Sequence, residues 1–143
     1  MRLVADTNII FSILLKKNSH EFEIFRRDDV EIFIPKFLII EIFKHKEKMV
    51  KLSKLDDNEI LEVYYHVLKH CQIFDEEDIP KNIKNQAINL VADIDPKDAV
   101  FLASAITLNT TLWSGDKKLI EGLKAKGVKY IARTTELIET LGI

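Results

Sequence analysis

The chain concentrates acids around residues 93–98, directly before a segment that carries no charge. Asp93, Asp95 and Asp98 precede the run from Ala99 to Leu108, in which every residue is apolar or small and uncharged. A helix of this composition is expected to pack in the interior, where carboxylates at its start lose hydration unless a cation or a hydrogen-bond donor accompanies them. The question for function is therefore which other acids the fold brings beside Asp98.

Three further acids stand in comparable surroundings. Asp6 and Asp116 each follow a short run with strand character, and Glu41 is the only acid within Phe37–Phe43. Four ionised carboxylates in one place repel one another, and their pKa values rise unless cations neutralise them. Ligands that are all oxygen atoms favour Mg²⁺ or Mn²⁺ over zinc.

Such a site suits the hydrolysis of a phosphodiester bond. A divalent ion can orient the phosphate, lower the pKa of an attacking water and stabilise charge on the leaving oxygen, and two ions about 4 Å apart would divide these tasks. No covalent intermediate is expected. The candidate metal ligands and catalytic residues are Asp6, Glu41, Asp98 and Asp116.

The elements that must position these acids are strands alternating with helices. Strand character is found at residues 3–5, 30–34, 110–114 and 128–132, and a helical pattern follows each of them. This order predicts a three-layer α/β/α sandwich around a central parallel sheet, formed by one domain over residues 1–143. Ligands of such sheets bind beyond the carboxyl ends of the strands, where Asp6 and Asp116 fall.

The remaining boundaries follow from capping signals. Asp56 and Glu59 form a capping-box pattern for an amphipathic helix that is expected to run through Cys71. Thr134 is expected to cap the last helix.

Asp6 and Glu41 also have simpler explanations. Asp6, taken by itself, is explained equally well as the cap of the helix that follows it. Glu41 has an alternative partner in His45, four residues further along the same helix.

Asp95 and Asp98 differ in this respect. Asp95, followed by Pro96, has the pattern of a helix N-cap, and capping alone accounts for it. Asp98 shares a helical face with Phe101 and Leu102, which are expected to pack inward, so capping explains it less well.

Composition is typical of one ordinary globular domain. Of 143 residues, 47% are apolar and 31% are charged, and the longest apolar run is far below the roughly 18 residues of a membrane-spanning helix. The single cysteine, Cys71, and the lack of a signal-like block after Met1 predict a cytoplasmic protein with no membrane association.

A net charge of −2 gives no overall basic field, so a nucleic-acid partner must be held by local lysines or through metal ions. Lys117 and Lys118 are the better candidates for RNA contacts because they adjoin Asp116. Weaker candidates are Lys16, Lys17, Lys44, Lys46 and Lys48.

Four segments resemble the signature segments of PIN-domain ribonucleases. They occur in that family's order, and the resemblance spans essentially the whole chain. The segments are Val4-Ala-Asp6-Thr-Asn8, Pro35-Lys-Phe-Leu-Ile-Ile-Glu41, Asp95-Pro-Lys-Asp98-Ala-Val-Phe-Leu-Ala and Leu112-Trp-Ser-Gly-Asp116-Lys-Lys-Leu119. Each motif is weak alone, but the four in sequence are a strong signal.

The resemblance implies a PIN-like fold and a Mg²⁺- or Mn²⁺-dependent endoribonuclease. Asp6, Glu41, Asp98 and Asp116 match the family's acidic quartet. The residues expected to support it are Thr7, Asn8, Ser114 and, as an auxiliary ligand, Asp95. Many small members, the VapC-like ones, are toxins that form homodimers and are held inactive by an antitoxin peptide, whereas a solitary member could equally process RNA.

Two other functions are alternatives to a ribonuclease. A non-catalytic RNA- or protein-binding PIN-like domain would keep the fold without turnover, but such domains usually lose one or more of the acids that are all present here. A phosphotransferase or receiver-like domain using Asp6 is disfavoured, because Asp6-Thr7-Asn8 is not the Asp-x-Asp of the phosphatases concerned.

Overall fold

A computed structural model of the chain describes residues 1–16, 18–53 and 55–143. Strands and helices alternate along most of it. One short 3-10 turn, Glu76–Asp78, lies between a strand and a helix, and another, Pro96–Asp98, lies between two helices. The elements are β1 (Arg2–Ala5), α1 (Thr7–Leu15), α2 (His20–Phe25), β2 (Glu31–Pro35), α3 (Lys36–Lys44), α4 (Lys46–Leu52), α5 (Asp57–His70), β3 (Cys71–Phe74), α6 (Lys81–Val91), α7 (Ala99–Leu108), β4 (Thr111–Trp113), α8 (Lys117–Ala125), β5 (Ile131–Ala132) and α9 (Thr134–Leu141).

The five strands form one parallel sheet in the order β3-β2-β1-β4-β5, flanked by the helices. β1 lies at its centre, with Leu3 opposite Ile32 of β2 on one side and opposite Thr111 of β4 on the other. The predicted α/β/α sandwich around a parallel sheet is confirmed. The carboxyl ends of β1 and β4 are neighbours, so the residues that follow them lie together.

The sheet is buried on both faces, which is why its strands read as continuous apolar runs rather than alternating ones. Leu3, Val4 and Ala5 of β1 have no exposed surface, and Trp113 at the end of β4 is also fully buried. No helix among the described residues is both long enough and apolar enough to cross a membrane.

One strand was not predicted. The helix expected to run through Cys71 ends at His70, and Cys71 begins β3, which pairs with β2 at the edge of the sheet. The strand has only four residues, two of which are exposed, so its apolar pattern is too short to be distinguished from the end of a helix. The capping box of Asp56 and Glu59 is confirmed, and the Asp56 carboxylate accepts the Glu59 N–H at 2.8 Å.

Helix α8 packs against the segment that leads into Asp95. Gly122 of α8 has no side chain, and a Cβ at this position would lie 2.6 Å from Ile94 Cδ1. At the end of the same helix, the Lys126 ammonium group donates to the Leu90 carbonyl at 2.7 Å and also to the Asp93 carboxylate. Asp93 is thus an exposed partner of Lys126. These contacts with α8 hold the backbone of the segment that ends directly before Asp95.

The contact between Gly122 and Ile94 predicts energetic coupling between these positions. We expect Gly122→Ala to be less favourable, by about 1 kcal/mol, in the wild-type background than in an Ile94→Val background, because valine lacks the Cδ1 atom that the new methyl group would meet. Urea unfolding of the wild type, both single variants and the double variant measures the coupling. Additive effects would contradict close packing at this point.

Candidate active site

Asp6 is a buried carboxylate at the carboxyl end of the central strand. It follows β1 and caps α1, and one of its oxygens, Oδ1, accepts the Ile9 N–H at 3.0 Å. The other oxygen, Oδ2, accepts the Ser114 hydroxyl at 2.5 Å. Capping and site membership are therefore not alternatives, because the cap uses one oxygen and leaves the other turned toward the end of β4.

Ser114 joins Asp6 to Asp116. It is fully buried just after β4, and its Oγ accepts the Asp116 N–H at 3.0 Å while its hydroxyl is donated to Asp6. Asp116 in turn caps α8, with Oδ1 accepting the Leu119 N–H at 3.2 Å. The supporting role expected for Ser114 thus has a geometric basis, because its one hydroxyl group sets the relative position of two candidate ligands.

Asp116 also belongs to a compact group of three carboxylates. Ligand atoms of Asp95, Asp98 and Asp116 all lie within 4.8 Å of one another, and each residue is partly buried. The N-cap predicted at Asp95 is found, with Oδ1 accepting the Lys97 N–H at 3.1 Å, but it begins a 3-10 turn rather than an α-helix. Helix α7 starts only after Asp98, which the turn directs toward Asp116.

The electrostatics extend this group to Asp6. Loss of hydration, followed by the charges of Asp6, Asp95 and Asp116, raises the pKa of Asp98 to about 7. Burial also raises the pKa of Asp6, although the Ser114 and Ile9 hydrogen bonds oppose the rise and the charge of Asp116 adds to it. A cluster of oxygen ligands whose ionisation is this unfavourable fits a hard divalent cation, whose charge would offset the repulsion.

Glu41 stands apart from the compact group. Within the described residues, the carboxylates that lie within 4.8 Å of one another do not include it. Its Oε2 is 3.5 Å from His45 Nε2 and its Oε1 is 3.9 Å from Lys44 Nζ, with about a third of the side chain exposed. The alternative pairing with His45 is therefore present in the structure.

The helix that carries Glu41 is nevertheless a neighbour of α7. The rings of Phe37 on α3 and Phe101 on α7 have centroids 5.5 Å apart. Phe37 lies one turn before Glu41, and Phe101 lies one turn after Asp98. Glu41 is thus on an element that contacts the one following Asp98.

The other predicted site residues are partly buried or exposed. Thr7 is the partly buried first residue of α1, and Asn8 is exposed, with its Cβ 3.8 Å from where a Cβ on Gly115 would lie. Lys117 and Lys118 are exposed at the start of α8, and Lys117 lies 3.9 Å from Glu121. The remaining lysines proposed as weaker RNA contacts are exposed at Lys16, Lys44, Lys46 and Lys48, and Lys17 lies outside the described residues.

A network below Ser114 was not predicted. Trp113 Nε1 donates to the Thr134 hydroxyl oxygen at 3.1 Å, and that hydroxyl donates to Glu21 Oε1 at 3.2 Å. The cap expected from Thr134 is wrong, because Arg133 is the N-cap residue of α9 and the Thr134 side chain serves Trp113. A buried indole N–H needs a hydrogen-bond acceptor. The presence of Trp113 in a buried strand was therefore the only feature of the sequence that pointed to this network.

Comparisons with known proteins agree with one another. A family model described as PIN domain matches residues 4–140. One similar structure is that of VapBC2 from Rickettsia felis bound to a DNA fragment from its promoter. It matches with a TM-score of 0.67 and 16% identity over 93% of this chain and 98% of that one. PAE2754 from Pyrobaculum aerophilum matches with a TM-score of 0.61 and 14% identity over 99% of this chain and 96% of that one. No curated protein sequence matches the chain.

The raised pKa of Asp98 predicts a pH-dependent difference in stability. The folded protein binds the Asp98 proton more tightly than the unfolded chain does, so the stability that this proton contributes is present below about pH 4 and is lost as the pH rises through about 7. Asp98→Asn removes the charge. With EDTA present, the variant should exceed the wild type by about 2 kcal/mol at about pH 8, a figure reduced because the carboxylate is partly exposed.

Urea unfolding as a function of pH measures this difference, which should shrink toward about pH 4. Asp28→Asn, at an exposed position, is the matched control and should follow the wild-type profile. Parallel curves for Asp98→Asn and the wild type would show that Asp98 ionises without hindrance.

Proposed function

This chain belongs to the PIN-domain family, and on that premise we propose that it is an endoribonuclease that hydrolyses RNA phosphodiester bonds with the help of Mg²⁺ or Mn²⁺. PIN domains are generally nucleases. The observation that carries the proposal is the convergence of Asp6, Asp95, Asp98 and Asp116 at the carboxyl edge of the sheet. Loss of hydration, together with neighbouring negative charge, raises the pKa values of Asp6 and Asp98, so ionisation of these two carboxylates is costly unless a cation is their partner.

The residues divide the work as follows. Asp98 and Asp116 would hold the ion, with Asp95 as an auxiliary ligand and Asp6 behind them. A bound divalent ion supplies charge for the phosphate and an attacking water of lowered pKa. Ser114 fixes the Asp6 carboxylate through its hydroxyl group, so the oxygens of Asp6 are oriented before the substrate arrives. Asp98 must lose its proton when an ion binds, and ion affinity should therefore rise with pH.

RNA as the substrate, rather than DNA, comes from the family resemblance. Lys117 and Lys118 lie beside Asp116 at the start of α8, where their charges would attract the phosphates that flank the bond being cut. Single-stranded RNA is the form that would let one phosphate reach a recessed cluster of carboxylates.

A narrower proposal is that the chain is the toxin of a toxin–antitoxin pair. The Rickettsia felis neighbour is a VapBC2 structure. The family resemblance implies that small VapC-like members pair with an antitoxin and form homodimers. This chain has apolar surface for such a partner, because Phe43 and Leu61 are 66% and 63% exposed and line a groove of about 620 Å³ between α1, α3, α4 and α5. Three other aromatic residues offer less surface, because Phe25 is buried and Phe11 and Tyr64 are partly buried against the core.

The second candidate function is a non-catalytic RNA- or protein-binding domain. The observation that favours it is the position of Glu41, which is paired with His45 and Lys44. A domain that had lost catalysis would have no need to bring Glu41 to the cluster. The two predictions below separate the alternatives.

Removal of a carboxylate should abolish metal-dependent cleavage. We expect Asp6→Asn, Asp98→Asn and Asp116→Asn each to lower the rate of RNA cleavage about a hundredfold or more, because each change removes charge that stabilises the bound ion. The measurement is the cleavage of end-labelled single-stranded RNA with Mn²⁺ and with EDTA. Asp28→Asn is the matched control and should cleave at the wild-type rate.

Circular dichroism of each variant establishes that it is folded. Cleavage that persists in EDTA, or that survives Asp116→Asn, would contradict the proposed site. Calorimetric titration with Mn²⁺ should show binding by the wild type and much weaker binding by Asp98→Asn.

Glu41 is expected to act in catalysis. Glu41→Gln should lower the cleavage rate by about tenfold or more, as the loss of one oriented oxygen ligand does, while changing stability by no more than about 0.5 kcal/mol. His45→Gln is the comparison, since it removes the partner of Glu41 and keeps the carboxylate. Equal activity of Glu41→Gln and the wild type would leave Glu41 with only its role in the ion pair.

A further inference from the structure

A second recess begins at the turn between Asp95 and Asp98. It is a groove of about 370 Å³ that runs from Pro96 and Lys97 along the outer side of α7 toward α6 and the turn at Glu76–Asp78. Its floor is apolar, formed by Ile79, Ile88 and Val100. The volume falls in the range of roughly 300–1,000 Å³ that is usual for sites of small organic groups.

Two lysines lie along this groove. Lys97 is exposed on the turn between the two acids, and Lys84 is half-buried on α6. Within the described part of the chain, neither lysine forms an ion pair. Lysine side chains without a carboxylate partner are available to an anion from outside, and a phosphate is the anion that an adjacent phosphodiester site would bring.

Two carboxylates line the opposite end. Glu76 is anchored, since its Oε2 accepts the Phe37 N–H at 3.4 Å, and Glu77 beside it is exposed at the rim. These groups accept hydrogen bonds and do not donate them at neutral pH. The groove therefore offers an apolar floor, a carboxylate edge and cations at its sides.

We infer that this groove binds an unpaired guanine base of the RNA, in a nucleotide that flanks the bond to be cut. The inference rests on the ribonuclease function proposed above and names the feature of the substrate that the site reads. Bases of single-stranded RNA are recognised by stacking on one face and by hydrogen bonds along the Watson–Crick edge. Here Ile79, Ile88 and Val100 contact the face.

The carboxylates select the base. Guanine presents two adjacent N–H donors, on N1 and N2, which one carboxylate group can accept together. Adenine and cytosine present one amino donor next to a ring acceptor, and uracil presents a single donor between two acceptors. An acceptor next to Glu77 would face a negative charge, so only guanine matches the edge fully. Lys84 and Lys97 contact the phosphates on either side and add affinity without selecting a base.

Nucleotide binding can be tested apart from cleavage. Methyl NMR spectra of the whole chain are recorded in EDTA while guanosine, adenosine, cytidine or uridine 5′-monophosphate is added. Guanosine monophosphate should shift the methyl signals of Ile79, Ile88 and Val100 and should bind about tenfold more tightly than uridine monophosphate, the discrimination that a two-donor contact provides.

Two variants separate the roles of the charges. Glu77→Gln should reduce the preference for guanine severalfold and leave the binding of the other three nucleotides unchanged. Lys97→Met should weaken all four by a similar factor. Lys129→Met, an exposed lysine near the amino end of β5, is the matched control and should bind as the wild type does.

Equal shifts with all four nucleotides, or shifts outside the groove, would overturn the inference. Preserved guanine binding in a protein that cleaves no RNA would support the groove and overturn the nuclease function. Where RNA is cleaved, wild-type cut sites should lie next to guanine, and Glu77→Gln should lose that preference. Cleavage without any base preference in the wild type would again overturn the inference.

Discussion

Mutual repulsion among four aspartates is the constraint on which the rest of this structure depends. Asp95, Asp98 and Asp116 lie close together in partly buried positions, and the buried Asp6 is near enough for its charge to act on Asp98. Loss of hydration, followed by the charges of Asp6, Asp95 and Asp116, raises the pKa of Asp98 to about 7. Nothing in the folding of an isolated domain favours such an arrangement, because burial of carboxylates without a cation costs free energy. The stability for it has to come from the apolar core, in which Leu3, Val4 and Ala5 of β1 and Trp113 at the end of β4 are fully buried.

The fold holds the acids together with backbone rather than with countercharges. Asp6 and Asp116 both cap helices, so each gains an N–H donor from the chain that follows it. Ser114 adds a hydroxyl between them. These neutral donors offset part of the lost hydration and leave the negative charge uncompensated, which is the condition that a site for divalent cations requires. A lysine in the place of Ser114 would stabilise the aspartates and destroy that property.

The sequence was sufficient to predict that the two acids at strand ends lie near each other. Asp6 and Asp116 follow short apolar runs, and in a parallel sheet such runs end at a common edge, so their proximity follows from topology alone. Asp98 was identified because it interrupts an otherwise inward-facing helical surface. The 3-10 turn that carries Asp98 has three residues, too few to give a recognisable pattern. Strand β3 was also not predictable, because its four residues form a strand through pairing with β2, which is distant in sequence. The Trp113 and Thr134 hydrogen bond joins segments 21 residues apart, and local periodicity contains no information about such a pair.

Glu41 shows why position on an element does not fix the role of a long side chain. Its contact with His45 at 3.5 Å lies on a partly exposed surface, where an ion pair contributes at most about 1 kcal/mol. A carboxylate that coordinates a divalent ion gains more than that, because the ion carries twice the charge of an imidazolium and the carboxylate oxygen is in direct contact with it. The Phe37–Phe101 contact packs α3, which carries Glu41, against the helix that follows Asp98. The pair with His45 is therefore a weak competitor for this carboxylate, and its presence is compatible with a ligand role at the cluster.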